Sequence, residues 1–460
     1  MSLLSDPAQR GCYYTDAISI SKRCFLKKRG TKKPSTPKVI PRSAHTVSRN
    51  DISKSALKVL YRLHKSGYQA FLVGGCVRDA LLGLHPKDFD VATNATPEEV
   101  RALFDNCRLI GRRFRLAHVR FGREIIETAT FRAAANHAAD DAAHDDEGRI
   151  IRDNVYGSID EDVWRRDFTC NALYYNIADF SIWDYTNGVN DVQQRQLVLI
   201  GDPDTRLRED PVRMLRAVRF AAKLDFAIVK SVEKSIRKHK DLLANVPAAR
   251  LFDEFLKMFQ AGAAEKTFDL LREYELFEQL FPATDQELND DPGYAEFVRS
   301  ALRNTDRRVA AGKSVTPMFL IGVFFWAPVK RLAAIRRNEE KMSESQALGL
   351  ASFELLSQQQ RRISIPKRFT VPMREMLALQ PRFESQRGKR AMKFLDHRRF
   401  RAAYDFMMLL SEVGQVDAAT AEFWTKVQTQ SADERAVSFQ VGSPTGKKRR
   451  RRRRRRRASQ

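Results

Sequence analysis

A four-residue apolar run, Ala70-Phe71-Leu72-Val73, ends on two glycines, and a short helical segment from Cys76 to Leu82 follows at once and stops at Gly83. A strand, a glycine turn and a helix start leave backbone N–H groups unpaired where no Cβ stands in the way. Gly74 and Gly75 are therefore a candidate anion cradle, with Arg78 in the first helical turn as a charged donor. An ordinary tight turn is the alternative. Next comes Asp88-Phe89-Asp90. On a strand, positions i and i+2 point to one side, so the carboxylates share a face while Phe89 enters a core. Side by side they repel, and one takes up a proton unless a divalent cation removes the conflict. Hard oxygen ligands suit Mg2+. A solvated strand end is the rival reading.

A third carboxylate, Glu127, sits among apolar residues in the strand-like EIIETATF. A buried acid needs a partner, either a metal shared with Asp88 and Asp90 or an arginine such as Arg132. In WRRDFTCNALYYN, residues 164–176, Asp167 and Asn171 share a face if the stretch is helical. They could then meet sugar hydroxyls while Arg166 meets phosphate, or simply pack by salt bridge. In RLREDPVRMLRAVRF, residues 206–220, Asp210 and Pro211 suit a helix start. Arg213, Arg216 and Arg219 form a drifting basic stripe opposite Met214, Val218 and Ala221. Arg213 as donor and Asp210 as acceptor would read an adenine or cytosine edge and reject guanine and uracil, without separating A from C. A solvated amphipathic helix is the alternative.

The rest of the chain bounds these readings. Its 460 residues exceed one ordinary core. The formal net charge is +24, of which the wholly basic Lys447 to Arg457 supplies 11, so the remainder is basic too. A polyanion partner follows, nucleic acid before membrane. Lys447, Lys448, Arg449, Arg450, Arg451 and Arg452 are candidate RNA-phosphate contacts. Five cysteines without a CxxC spacing suggest neither a disulfide framework nor a zinc site, which places the chain in a reducing cytoplasm. The longest apolar run, Met318 to Val329, is too short to span a bilayer, and no signal peptide is expected.

The expected organisation is α+β. A basic flexible arm occupies residues 1–50, strand-like and helical segments alternate over 51–195, helical segments fill 196–275 and 276–435, and a disordered polyarginine tail closes the chain at 436–460. Residues 133–148 are low-complexity and acidic, and read as a mobile loop. Its His137 and His144 are exposed rather than metal ligands on this reading.

Taken together, LVGGCVRDALLG, PKDFDVATNATPEEV, EIIETATFR, RRDFTCNAL and EDPVRMLRAVRFAAKL resemble the class II nucleotidyltransferase family, which contains CCA-adding enzymes and bacterial poly(A) polymerases. LIGRRFRLAHVRFG, residues 109–122, is similar to the signature of its poly(A)-adding members. Cys170 stands where isoleucine is more usual, away from the proposed chemistry. The resemblance implies a polymerase-β-like catalytic head with a mixed sheet over residues 51–195, a helical neck binding base and RNA over 196–275, and a helical RNA-binding body over 276–435. It implies template-independent transfer of AMP from ATP to RNA 3′ ends, with release of pyrophosphate, in messenger RNA processing and decay. It also implies two Mg2+ ions on Asp88 and Asp90, with Glu127 completing the carboxylate set and Asp167 supporting the nucleotide site. Gly74, Gly75, Arg78 and Arg166 would hold the triphosphate, and Asn171 would lie in the same site. Glu209, Asp210, Arg213 and Arg216 would position the base. A monomer acting on RNA and ATP, with no membrane, is expected. A CCA-adding tRNA enzyme shares all five motifs and is the first alternative. A non-catalytic RNA-binding protein on a transferase scaffold is the second.

Overall fold

The computed structural model describes residues 36–111, 115–133 and 155–441. The chain enters as β1 (Lys38–Ile40), then forms α1 (Lys54–Lys65), β2 (Ala70–Val73), α2 (Gly75–Leu81), β3 (Asp90–Thr93) and α3 (Pro97–Leu103). A meander of β4 (Cys107–Ile110), β5 (Leu116–Phe121) and β6 (Glu124–Thr130) follows. After α4 (Ile159–Arg165) come β7 (Leu173–Asn176), β8 (Ile182–Asp184), α5 (Gly188–Gln193) and β9 (Gln196–Leu197). Eight strands form one sheet in the order β1-β8-β7-β2-β3-β6-β5-β4. Only β3 and β6 run parallel within it, so the sheet is mixed, as expected.

Several elements are legible locally. Ser53 caps α1 by accepting from the Ala56 N–H, and Ala56, Val59, Leu60 and Leu63 form its buried stripe. Strand alternation splits the sheet into two faces. Leu72, Val91 and Ile126 pack with α1 in one core, whereas Phe71, Val73, Ala92 and Tyr174 form a smaller second core with Ile159 and Val163 of α4. The segment read as a flexible arm to residue 50 is corrected from residue 38 onward, because β1 pairs antiparallel with β8 and is the sheet's edge. Three residues are too few to show a period of two, so no pattern announced it. Residues 1–35 lie outside the described residues, as do 134–154, where most of the acidic loop and both His137 and His144 fall.

Helices take over with α6 (Pro203–Glu209) and α7 (Val212–Leu224), then β10 (Ala227–Ile228), α8 (Lys230–His239), α9 (Ala248–Phe259) and α10 (Ala264–Glu273). The head does not end cleanly at residue 195. The Thr169 N–H donates to the Val198 carbonyl and the Ile200 N–H to the Asp167 carbonyl, while β9 pairs with β10. The next helices are α11 (Leu276–Leu280), α12 (Pro282–Asp290), α13 (Pro292–Ala310), α14 (Pro317–Glu340), α15 (Glu344–Gln359) and α16 (Lys367–Ala378). Phe255, Phe259, Phe268, Phe277 and Phe281 ring Phe324 of α14, with centroids 5.1–6.3 Å away. One aromatic core therefore joins the stretches read as neck and body.

Helix α14 is longer than its apolar run. By length and composition it is sufficient to cross a membrane, contrary to the expectation from Met318–Val329. Here it is a core helix: Leu320 to Trp326 are all buried, and Gly322 lets α16 approach so closely that an added Cβ would stand 2.5 Å from the Met376 Cε.

Candidate active site

The glycine pair opens the site. Gly74 has φ +82° and ψ −134°, a conformation that side chains disfavour, and caps α2. An added Cβ there would face the Asn171 carbonyl oxygen at 3.7 Å and Arg166 Nη1 at 3.9 Å. At Gly75 it would meet Arg78 Nη2 at 3.3 Å. Arg78 itself is buried. Its Nη1 donates to Asn171 Oδ1 at 2.5 Å, Nε and Nη2 donate to Asp79 Oδ1, and the guanidinium lies over the Phe220 ring of α7. Two acceptors and an aromatic face fix this cation directly behind the glycine turn.

The carboxylates lie beside it. Asp90 pairs in parallel register with Glu127, so both project from the same face. Asp88 precedes β3 rather than lying within it, but Phe89 is buried between two exposed aspartates, and the expected alternation survives. Crowding by the surrounding protein, then Glu127 and Asp88, pushes the Asp90 carboxyl up to about 6, against the pull of Arg166. Glu127 is not the buried acid expected from its apolar neighbours. Its side chain is half exposed, and its ionic neighbour is His118 of β5, 3.6 Å away and directly opposite in register. Among the described residues, no three His, Cys, Asp or Glu side chains converge as a metal-holding group. The donor chemistry nonetheless fits a hard cation, since the set is all carboxylate and Glu127 and Asp88 add to the burial that raises Asp90.

Two cation–acid pairs frame the opening. Arg166 donates through Nε and Nη2 to Asp162 Oδ2, at 3.2 and 3.0 Å, and through Nε to the Tyr174 hydroxyl at 2.7 Å. The Tyr174 hydroxyl in turn donates to Asp162. Asp167 accepts from Arg216 Nε at 2.8 Å and from its Nη2, from its neighbour's backbone N–H, and from Asn171 Nδ2 at 3.3 Å. Burial alone would raise the Asp167 carboxyl, but Arg216 and these donors hold it below the usual range. Asp167 and Asn171 do meet, although not on an α-helix: residues 169–171 form a 3-10 turn. Gly188 presses against that turn, where an added Cβ would come within 2.3 Å of the Thr169 carbonyl oxygen.

The base-positioning candidates are brought together but already occupied. Glu209 pairs with Arg206 and Arg213, Asp210 with Arg250, and Arg213 Nη1 also donates to the Arg206 carbonyl. Asp210 still serves the start of α7, accepting from the Val212 N–H, one residue later than the expected cap. Arg206 Nη2 donates to the Arg165 and Arg166 carbonyls, which ties this group to the Arg166 side of the opening. Lys447 to Arg452 lie outside the described residues.

Sequence reasoning missed Asp162 and Tyr174, which hold Arg166, and His118, which faces Glu127. Asp162 had a signal, standing on α4 four residues before Arg166, which caps that helix's C-terminal end; the other two depend on strand pairing. Burial pushes the Cys76 and Cys170 thiols up to about 12, so neither is a nucleophile here.

Comparison with known proteins adds three family models. Residues 70–198 match the Poly A polymerase head domain, 225–288 the probable RNA and SrmB- binding site of polymerase A, and 340–458 the polymerase A arginine-rich C-terminus. Poly(A) polymerase I of Salmonella typhi is 47% identical over 404 residues, covering 86% of this chain and 87% of that one. The Escherichia coli protein of the same name is 50% identical over 380 residues, 82% of each. The CCA-adding enzyme of Lactobacillus helveticus is 35% identical over 230 residues, 50% of this chain and 56% of its own. The Bacillus stearothermophilus CCA-adding enzyme, solved in complex with CTP, shares the fold, with TM-score 0.52 and 24% identity over 83% of this chain and 82% of its own.

Proposed function

The chain belongs to the poly(A) polymerase I family, and from that premise we propose how its residues divide the work of polyadenylation. As a polynucleotide adenylyltransferase it adds AMP from ATP to RNA 3′ ends, and CCA-adding enzymes are its distant relatives. In our reading, Asp88, Asp90 and Glu127 would hold two Mg2+ ions, which when bound would supply charge stabilisation at the attacking 3′-hydroxyl and at the departing pyrophosphate.

The protein's own part is positioning. Gly74 and Gly75 admit a triphosphate to the backbone N–H groups at the start of α2. Arg166, held by Asp162 and Tyr174, faces that turn as a charged donor, and Arg78 stiffens it from behind. Asn171 and Asp167 link the turn to Arg216 on α7, so the nucleotide's base would be aligned against Glu209, Asp210 and Arg213. For Arg213 and Asp210 to meet a base edge, they must exchange their present partners, Glu209 and Arg250, for the nucleotide. We place the reaction in messenger RNA processing and decay and in the cytoplasm; three buried free thiols, Cys76, Cys107 and Cys170, suit a reducing compartment.

The observation that carries this reading is the parallel pairing of Asp90 with Glu127 beside Asp88. Asp88→Ala should abolish AMP incorporation into an RNA oligonucleotide at an unchanged melting temperature. Retained activity with a normal melting curve would remove Asp88 from the metal site.

A further inference from the structure

We propose that the outward face of α1 is a second RNA-binding surface, which takes the phosphates of a segment upstream of the 3′ end being extended. It rests on the RNA-extending activity and adds to it a surface outside the active site.

Lys54, Lys58, Arg62 and Lys65 project from α1 opposite its buried stripe, and all four are exposed. At about 1.5 Å per residue they span about 16 Å in a row, a line that a phosphodiester backbone can follow. Among the described residues, none of the four has a carboxylate within ion-pair distance. Elsewhere some exposed or half-exposed cations are neutralised in pairs, such as Lys238–Asp204, Lys266–Asp225, Arg299–Asp269 and Arg401–Asp405. The acid closest in sequence, Asp51, is engaged in a capping box with Ser48. An unpaired stripe keeps its potential for an external anion.

The stripe is also built on aromatic supports. Lys58 Nζ stands 5.9 Å from the Phe121 ring centre, and the Arg62 guanidinium 5.1 Å from that of Phe104. A shallow groove of about 560 Å3 runs between these cations and Tyr61. No exposed large apolar side chain lies on α1. A protein partner would want an apolar centre to its interface, whereas a row of exposed cations is what a nucleic-acid backbone uses.

Position decides which part of the RNA fits. Helix α1 covers the sheet face carrying Leu72, Val91 and Ile126, while Asp90 and Glu127 project from the other. A reacting 3′ end cannot occupy both faces, so RNA on α1 must be upstream sequence that has passed around the head.

The test uses the full chain and two unstructured RNA oligonucleotides, one of about 10 and one of about 40 nucleotides. Binding is measured between about 50 and 200 mM salt, the range over which counterions compete most visibly with phosphate-bound cations. Lys58→Gln with Arg62→Gln should weaken the long RNA several-fold and reduce the magnitude of its salt slope by about 1.4, at ~0.7 for each phosphate neutralised. Short-RNA binding, the ATP KM and AMP addition to the short RNA should not change. Lys58→Arg with Arg62→Lys should restore the slope. An unchanged slope in the Gln variant would overturn the proposal and leave the face to an acidic protein. Failure of the charge-preserving variant, or equal weakening of both RNAs, would overturn it too. Failure of the unmodified protein to add AMP to the short RNA would instead strike the polymerase reading.

Discussion

Asp167, on the bend after α4, accepts from both Nε and Nη2 of Arg216, which comes from α7. One carboxylate thereby fixes the helix that carries Arg213 and Arg216 to the loop that carries Arg166. Truncating either partner leaves the other's charge largely desolvated, at a cost of about 2–3 kcal/mol given partial exposure of Arg216. Asp167→Ala and Arg216→Ala should each lower stability by that amount, and the double variant by clearly less than their sum. Chemical denaturation of all four proteins measures the coupling; strict additivity would mean that the two residues act independently.

The two glycines should not respond alike. Gly74 has a positive φ, and Gly74→Ala should cost about 1–3 kcal/mol of stability. Gly75 lies within the helix, where alanine is welcome, and its new methyl would press on Arg78. Gly75→Ala should therefore keep or raise the melting temperature while raising the ATP KM. Calorimetry and initial rates on the same preparations decide between these outcomes.

Acid should loosen the packing of α6 on α8. Asp204 accepts from Lys238, Ser235 and His239, and these partners hold its carboxyl below the ordinary range. Because the folded-state value is depressed, the contribution is present above the unfolded value of about 3.9. It disappears as pH falls through the lower folded-state value. Asp204→Asn should show a flatter decline of melting temperature below about pH 4 than the unmodified chain. Parallel curves would show that these bonds carry no pH-dependent stability.

Removing residues 447–460 should weaken RNA binding and flatten its salt dependence, by ~0.7 in slope for each phosphate that the basic run neutralises. ATP binding should stay intact. An unchanged slope would show that the basic run does not touch RNA.

Local rules made much of the head readable. The turn at Gly74, the helix stop at Gly83, and the inward Phe89 between two aspartates all depend on residues a few positions apart. Glu127 was found for an incomplete reason: its apolar neighbours suggested burial, yet only the pairing of β3 with β6 sets it beside Asp90.

By itself, the sequence determined what is encoded at short range: strand and helix periods, glycine turns, the carboxylate set and the order of motifs that marks the family. The tertiary structure alone decided which distant groups meet. His118 faces Glu127 because β5 pairs with β6, Arg78 reaches Asn171 because α2 packs on the 169–171 turn, and Asp167 receives Arg216 across 49 positions. Such pairings are set by strand register and packing over long loops, and no local period in the chain records either.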